Sequence, residues 1–214
     1  MIFLTEDIAF PPVENATPEG IVAVGGDLSV DRLMLAYRSG IFPWFEDDDL
    51  ILWWSPPERM VLFPEKFKVS KSLRQLIKKK VFRVTVNQAF DQVITHCANI
   101  KRMGQQSTWI TPEMLTAYEA LHQAGHAMSV EVWQDDALVG GLYGVDLGDV
   151  FCGESMFSKV SNASKVGFAH LVERLKEKQY HIIDCQVYTA HLASLGAEEI
   201  SREEFLRYLK GEDQ

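Results

Sequence analysis

Two polar side chains interrupt an apolar run near the C-terminal end of this 214-residue chain. Ile182 and Ile183 begin like a buried strand, and Asp184 and Gln186 then follow. Because side chains alternate between the two faces of a strand, the carboxylate and the amide project to one face and Cys185 to the other. Such a pair could handle a proton, or it could only satisfy nearby backbone groups, which is the commoner use of buried Asp and Gln. The residues alone favour the second interpretation.

The periodicity of the surrounding residues predicts a mixed sheet that would hold this pair. A strand and two helices come first, then three meandering strands, a helix, the strand with the polar pair and a last helix. The strands predicted before the polar pair are Phe82–Val86, Ala127–Trp133, Leu138–Val145 and Asp149–Met156. This order predicts an α+β fold, a GNAT-like acyltransferase domain with a mixed sheet flanked by helices.

An acyl-CoA enzyme of this fold would need a glycine-rich cradle for the pyrophosphate at the start of the helix after the third meandering strand. Residues 157–165 read FSKVSNASK at that place and contain no glycine. Gly140, Gly141 and Gly144 lie inside a predicted strand, where close packing or a bulge is their expected role. The sequence therefore disfavours acetyl-CoA as a cofactor.

The first 57 residues are rich in turns and aromatic side chains. Ser29 is expected to cap a helix over Val30–Ser39, and the strings GIFPWF and ILWWSPP follow. Three of the five tryptophans lie within eleven residues there, where they either seal one domain against another or offer flat surfaces to a base. The Pro56-Pro57 pair predicts the boundary between a small N-terminal domain, residues 1–57, and the GNAT-like domain, residues 58–214.

Charge is distributed unevenly along the chain. The formal net charge of -9 argues against a protein that coats nucleic acid nonspecifically, yet Glu58–Arg83 contains nine basic residues and two acidic ones. This basic stretch could be a solvated helix face or a footprint for a phosphate backbone, and the sequence leaves both readings open.

Composition also bounds the compartment and the metal chemistry. No apolar run reaches membrane-spanning length, and acidic residues stand where a signal peptide would carry Lys or Arg, so we expect a cytoplasmic protein. Cys97, Cys152 and Cys185 are odd in number, lack CxxC spacing and lie in apolar surroundings. We expect buried thiols, with neither a disulfide nor a metal site.

Several strings together resemble the leucyl/phenylalanyl-tRNA–protein transferase family over about Phe10 to Leu209. They include GGDLS (25–29), GIFPWF (40–45), ILWWSP (51–56), TWI (108–110), GESMFS (153–158), IDCQ (183–186) and HLASLGA (191–197). The resemblance implies that Leu or Phe is moved from Leu-tRNA or Phe-tRNA to the α-amine of an N-terminal Arg or Lys of a protein, which marks that protein for degradation. It implies no cofactor. The rival hypotheses are an acyl-CoA-dependent N-acyltransferase and a noncatalytic adaptor that binds basic N-termini.

The resemblance reverses the interpretation of the polar pair. In the reaction it implies, an amine attacks an ester carbonyl and the 3′-oxygen of the terminal ribose leaves, so a group that accepts the amine's proton is useful. Asp184 would polarise Gln186, whose carbonyl oxygen would orient the amine and draw on its proton. Glu154 would hold an ammonium or the adenosine end of the substrate. The alternative is that the 2′-hydroxyl of the tRNA shuttles the proton.

The resemblance also implies the substrate-binding residues. Trp44 and Trp109 would flank the adenosine, where a base stacks on a flat face. An apolar pocket for Leu or Phe would be lined by Phe151, Met156, Phe168, Leu171, Leu175 and Ile183. Since Ile183 shares its face with Cys185, opposite to Asp184, its pocket role is expected to require a twist or bulge in the strand.

The basic stretch is the candidate surface for the acceptor stem of tRNA. The residues predicted to contact it are Lys66, Lys68, Lys71, Arg74, Lys78, Lys79, Lys80 and Arg83. The expected partners are therefore aminoacyl-tRNA and acceptor proteins, without a membrane, and a monomer is the default expectation.

Overall fold

The computed structural model describes residues 2–46, 49–100 and 110–212. The N-terminal part forms a four-stranded sheet in the order β1-β2-β4-β3, together with the helix α1. Its elements are β1 Phe3–Leu4, β2 Ile21–Gly25, α1 Val30–Arg38, β3 Phe42–Pro43 and β4 Leu52–Trp54. The Ser29 side chain accepts from the Arg32 backbone N–H, so the predicted cap of α1 is confirmed.

The rest of the chain builds a seven-stranded sheet in the order β11-β5-β10-β9-β8-β7-β6. Its strands are β5 Glu58–Leu62, β6 Arg83–Val86, β7 Ala127–Gln134, β8 Ala137–Asp146, β9 Val150–Ser158, β10 Ile182–Gln186 and β11 Glu198–Ser201. The helices are α2 Lys71–Lys78, α3 Phe90–Asn99, α4 Pro112–Gln123, α5 Ala163–Glu177, α6 Ala190–Ser194 and α7 Arg202–Leu209. The β9–β10 pair is parallel and the other pairs are antiparallel, so the predicted mixed sheet is confirmed.

Two strands of this sheet were absent from the sequence prediction. Strand β5 pairs with β10 on one side and with β11 on the other, so β10 is an interior strand. Both missed strands are short, and each carries charged residues. Their pairing partners, not their own periodicity, make them strands.

Apolar side chains pack on both faces of the large sheet. One cluster lies on the side of α3 and α4 and continues into the N-terminal part through residues such as Tyr37 and Trp53. The other lies on the side of α5 and includes Cys185. All three cysteines are buried, as expected.

Strands β9 and β10 pair over only three residue pairs, which end at Cys152 and Asp184. Beyond that point β9 continues to Ser158. Both strands are irregular at this level. On β9, Gly144 of β8 faces Gly153 while Tyr143 faces Ser155, which makes Glu154 the extra residue of a bulge. On β10, the register with β5 shifts between Asp184 and Gln186.

Gly144 shows why the strand beside this bulge carries glycine. A Cβ atom at Gly144 would lie 2.2 Å from the Cys152 carbonyl oxygen and 2.6 Å from the Phe151 ring. The close-packing role expected for this glycine is therefore confirmed.

The residues that the structure describes include neither a membrane-spanning helix nor a metal-binding cluster. None of the helices in these ranges is long and apolar enough to cross a membrane. Nor do the described ranges contain a group of three or more His, Cys, Asp or Glu side chains that could hold a metal ion.

Candidate active site

Glu154 lies at the centre of a hydrogen-bonded cluster where β9 and β10 separate. Its Oε1 accepts from the Tyr37 hydroxyl at 2.8 Å and from Nε2 of Gln186 at 3.0 Å, and its Oε2 accepts from the Tyr118 hydroxyl at 3.0 Å. The two tyrosine hydroxyls also hydrogen-bond to each other. Helices α1 and α4 and strand β10 thus converge on one carboxyl group.

The environment of Glu154 raises its pKa to about 7. Removal of the carboxyl group from water is the largest cause, and the negative charge of Asp184 adds to it, while the hydrogen bonds from Tyr37, Tyr118 and Gln186 oppose it. Glu154 as a whole residue is half-buried, but its carboxyl oxygens point into the cluster. A carboxyl group with this pKa exchanges its proton near neutral pH.

The number of protons in the cluster supports the raised pKa. Burial, followed by the charge of Glu154, raises the pKa of both Tyr37 and Tyr118 well above 10, so both hydroxyls keep their protons. Two hydroxyl protons cannot serve the three contacts among Tyr37, Tyr118 and Glu154 at once. A proton on Glu154 supplies the third, so the protonated form is fully hydrogen-bonded.

Asp184 occupies a different environment. It is 0% exposed, and its Oδ1 and Oδ2 accept from Nε and Nη2 of Arg59 at 2.8 and 2.7 Å. Its Oδ1 also accepts from the Gln186 backbone N–H at 2.9 Å. The expected polarisation of the Gln186 side chain by Asp184 is therefore wrong in its geometry: Asp184 contacts the Gln186 backbone, and the Gln186 amide contacts Glu154.

Asp184 and Gln186 both extend toward the N-terminal part, although the register of β10 with β5 shifts between them. Asp184 reaches the N-terminal part through Arg59, which also donates to the Gly40 carbonyl, and Gln186 reaches it through Glu154 and Tyr37. Cys185 lies on the opposite side, in the cluster against α5. Strand β9 adjoins β10, which brings Glu154 within reach of Gln186.

The six residues predicted for the aminoacyl pocket lie in one apolar cluster on the α5 side of the sheet. Phe151, Phe168, Leu171, Leu175 and Ile183 are buried, and the partly buried Met156 packs against them. Phe67, which the sequence interpretation missed, meets the Phe168 ring edge-on at a centroid distance of 5.5 Å.

The expectation that Ile183 needs a bulge to join these residues is wrong. Ile183 pairs with Phe151, and both side chains lie in the same cluster as Cys185, so regular alternation suffices. The residue that needs a bulge is Met156. It lies five positions after Phe151, an odd spacing that would place it on the other face, and the extra residue Glu154 restores it to the α5 side.

The tryptophans have separate environments. Trp44 is 45% exposed, and its ring lies 5.9 Å from that of Trp54, whose Nε1 donates to the Trp44 carbonyl at 2.7 Å. Trp53 is fully buried and donates to the Gly25 carbonyl at 2.8 Å. Trp44 therefore has an accessible ring, whereas Trp53 is a core residue. Trp109 lies outside the described residues.

The eight predicted tRNA-contacting side chains are all exposed. Lys66 forms an ion pair with Glu198, and the Arg83 guanidinium lies 5.0 Å from the Trp133 ring centroid. Helix α2, which carries Lys71, Arg74 and Lys78, covers a cavity of about 720 Å³ against α5 and β6. Neither the six predicted pocket residues nor Glu154 and its hydrogen-bond partners line that cavity.

Sequence reasoning missed Tyr37, Tyr118 and Arg59. Tyr37 and Tyr118 lie on the apolar faces of α1 and α4 and read as core residues, which they also are. The available signal was a hydroxyl on a buried helix face, since a buried hydroxyl needs a partner. For Arg59, the available signal was a charged residue directly before the apolar run Met60–Leu62.

Comparisons with known proteins show the family to which this chain belongs. The family described as leucyl/phenylalanyl-tRNA protein transferase matches residues 61–210, and its N-terminal domain matches residues 26–57. Two relatives named leucyl/phenylalanyl-tRNA–protein transferase are 59% identical, from Flavobacterium johnsoniae, and 57% identical, from Flavobacterium psychrophilum. Each match covers 98% of this chain, and 99% and 100% of the respective relative.

Among solved structures, FemX aligns with a TM-score of 0.50 at 10% identity over 80% of this chain and 66% of its own. A GCN5-related N-acetyltransferase from Kribbella flavida aligns with a TM-score of 0.41 at 9% identity, over 77% and 58% of the two chains. The sheet topology and the likeness to FemX agree with the predicted GNAT-like fold. From the family match and the close relatives, the chain belongs to the leucyl/phenylalanyl-tRNA–protein transferase family.

Proposed function

We propose that this protein moves Leu or Phe from aminoacyl-tRNA to the α-amine of an N-terminal Arg or Lys of an acceptor protein and so creates a degradation signal. Family membership supports the reaction class. The observation that carries the chemistry is the Glu154 carboxyl group, which has a pKa of about 7 where β9 and β10 separate. An apolar cluster of the kind that binds Leu or Phe lies on the adjoining α5 face.

The reaction needs a group that accepts one proton and returns one. The acceptor's amine attacks the ester carbonyl, a C–N bond forms, and the C–O bond to the 3′-oxygen of the ribose breaks. The nitrogen must lose a proton and the departing oxygen must gain one. Glu154 takes the proton from the nitrogen and delivers it to the oxygen, which suits a carboxyl group whose pKa lies near the working pH.

Gln186 and Asp184 then have supporting roles. Nε2 of Gln186 donates a hydrogen bond to Glu154. The side-chain carbonyl oxygen of Gln186 is then placed to accept a hydrogen bond from the attacking amine. The Asp184 carboxylate already accepts from Arg59 and from the Gln186 backbone. Because both of its oxygens are held by Arg59 and one also holds the Gln186 backbone, Asp184 positions Gln186.

The substrate surfaces follow the same assignment. The six cluster residues would hold the Leu or Phe side chain, Trp44 with Trp109 would stack on the terminal adenine, and the exposed basic residues would meet the acceptor stem. Residues 1–57 and 58–214 would act as two domains of a cytoplasmic monomer. The separate sheets on either side of Pro56-Pro57 support that division.

The test uses three acyl donors with one acceptor. Radiolabelled Leu-tRNA, Leu-CoA, or leucine with ATP is incubated with the protein and an Arg-initiated peptide, and the same peptide with an acetylated N-terminus is the control. Label transferred from Leu-tRNA alone, and only to the free amine, supports the proposal. Label from Leu-CoA would support an acyl-CoA enzyme, and peptide binding without label would support an adaptor.

A further inference from the structure

Arg59 is a buried arginine with partners in three parts of the fold. It lies on β5 and is 1% exposed. Its Nε and Nη2 donate to the two oxygens of Asp184 on β10, and its Nη1 donates to the Gly40 carbonyl at 3.2 Å, just after α1. Its guanidinium lies 4.7 Å from the Phe42 ring centroid and 4.5 Å from that of Phe205 on α7.

The Arg59–Asp184 pair connects directly to the backbone of Gln186. Asp184 Oδ1 accepts from both Arg59 Nε and the Gln186 backbone N–H. Gln186 has φ of +59°, a left-handed conformation that is costly for a residue with a side chain. Such a conformation persists only where its surroundings hold it, and the carboxylate of Asp184 provides that restraint. From this conformation the Gln186 amide reaches Glu154.

Stability alone does not explain the pair. Burial lowers the pKa of Arg59, but the charge and hydrogen bonds of Asp184 more than offset this and raise the pKa, so Arg59 stays charged. A buried ion pair can often be replaced by apolar side chains of similar volume without loss of stability. What apolar side chains cannot replace is the fixed, two-point geometry of a guanidinium on a carboxylate.

We infer that Arg59 is a positioning residue for aminoacyl transfer: through Asp184 it fixes the backbone of Gln186, and through Gly40 and Phe42 it ties that backbone to the N-terminal part. The inference rests on the proposed function, because the reaction gives the position of Gln186 its importance. Arg59 touches neither substrate nor reacting atoms in this assignment. It acts on the rate through the orientation of the Gln186 side chain beside Glu154.

The main test compares Arg59→Lys with wild type and with Arg32→Lys. A lysine keeps the charge but cannot make the two parallel hydrogen bonds to Asp184. Arg32 is a matched control because it is 0% exposed and donates from Nε and Nη2 to Asp27, remote from Gln186. Arg59→Lys should lower kcat by about 100-fold, as expected for misplaced reacting groups, with KM for aminoacyl-tRNA nearly unchanged. Arg32→Lys should retain the wild-type kcat per folded molecule.

A pH profile separates positioning from a merely structural role. Loss of the Gln186 hydrogen bond would raise the pKa of Glu154, so the acidic limb of the Arg59→Lys rate profile should move to higher pH. The other titratable groups that face Glu154 are Tyr37, Tyr118, Asp184 and Cys152. Of these, Asp184 is the group that the substitution contacts directly. A limb that moves to lower pH would mean that Asp184 has moved away from Glu154 while the Gln186 hydrogen bond is kept, which would overturn a role of Arg59 through Gln186.

A second variant guards against unfolding. Arg59→Met combined with Asp184→Leu removes both charges and keeps volume, so it should fold while kcat stays low. Wild-type kcat and an unmoved acidic limb in Arg59→Lys would overturn the inference, and so would full activity of the double variant. A wild-type protein that transfers nothing from aminoacyl-tRNA would instead overturn the proposed function.

Discussion

Glu154→Gln tests whether Glu154 is the group that accepts the proton. Glutamine keeps the size of the side chain and can still hydrogen-bond with Tyr37, Tyr118 and Gln186, but it cannot carry the proton between amine and ribose. A positioned general base contributes about 10²- to 10⁴-fold to a rate. We therefore expect kcat/KM for transfer to fall by a factor in that range at pH 8, with the fold retained.

The pH dependence of this loss is more specific than its size. The pKa of Glu154 is about 7, so its ionised form declines about tenfold per pH unit below that value. The ratio of wild-type to variant kcat/KM should be level above about pH 7 and fall about tenfold per unit below it. Ionisation of the acceptor amine, with a pKa of about 7.7 to 8.0, affects both enzymes equally and cancels in the ratio.

The assay is single-turnover transfer of labelled Leu to an Arg-initiated peptide, with hydrolysis of the aminoacyl-tRNA measured in parallel. A ratio that stays flat and close to one across the pH range would refute Glu154 as the proton acceptor. In that case aminoacyl-tRNA ending in 2′-deoxyadenosine should lose most of its reactivity, because the 2′-hydroxyl would be the remaining shuttle. If Glu154 is the acceptor, the 2′-deoxy substrate should keep the same pH-dependent ratio.

Four further measurements have defined outcomes. The free energy of unfolding of Glu154→Gln should rise relative to that of wild type as the pH increases from 4.5 to about 7. The raised pKa of Glu154 in the folded state stabilises wild type only while Glu154 is protonated, and the difference in unfolding free energy reaches at most about 3 kcal/mol. Leu171→Ala should raise kcat/KM for Phe-tRNA relative to Leu-tRNA about tenfold or more, because it creates space among the residues of the apolar cluster. Leu121 is equally buried but lies on the other face of the sheet, so Leu121→Ala should leave that ratio unchanged. Changing Lys78, Lys79 and Lys80 together to Ala should weaken tRNA binding and reduce its salt slope by up to about three, while reaction with a short aminoacyl-adenosine is spared; equal loss on both substrates would contradict the acceptor-stem assignment. Trp44→Ala should weaken binding of the short aminoacyl-adenosine by about 1–3 kcal/mol, the contribution of one stacked base.

Local patterns predicted the elements that have their own periodicity. Strands β7 to β10 and helices α1 and α4 followed from alternation, helical spacing and caps within single segments. Strand β5 did not, because it begins after two prolines and carries Arg59, and only its pairing with β10 and β11 defines it. Since β5 supplies the partner of Asp184, missing the strand also meant missing the ion pair.

The candidate site was predicted in its residues more than in its contacts. Glu154 and Gln186 were singled out from the sequence, and the structure brings them within hydrogen-bonding distance. The roles of Tyr37 and Tyr118 depend on a contact across 81 positions of the chain, which no local pattern contains. The ion pair between Asp184 and Arg59 spans 125 positions, so no local pattern predicts it either.

The bulge at Glu154 would let one sheet serve both proposed substrates. It turns Met156 to the α5 side, with the apolar cluster, while Glu154 itself faces α1 and α4, with the tyrosines. The proposed aminoacyl side chain and the proposed proton acceptor therefore lie on opposite faces of the sheet. A single carbonyl can approach both only where two neighbouring strands part, and β9 and β10 part directly after Cys152 and Asp184. The proposed reaction would thereby be confined to the place where the strands part, which would require Gln186, the last residue of β10, to be held in place there.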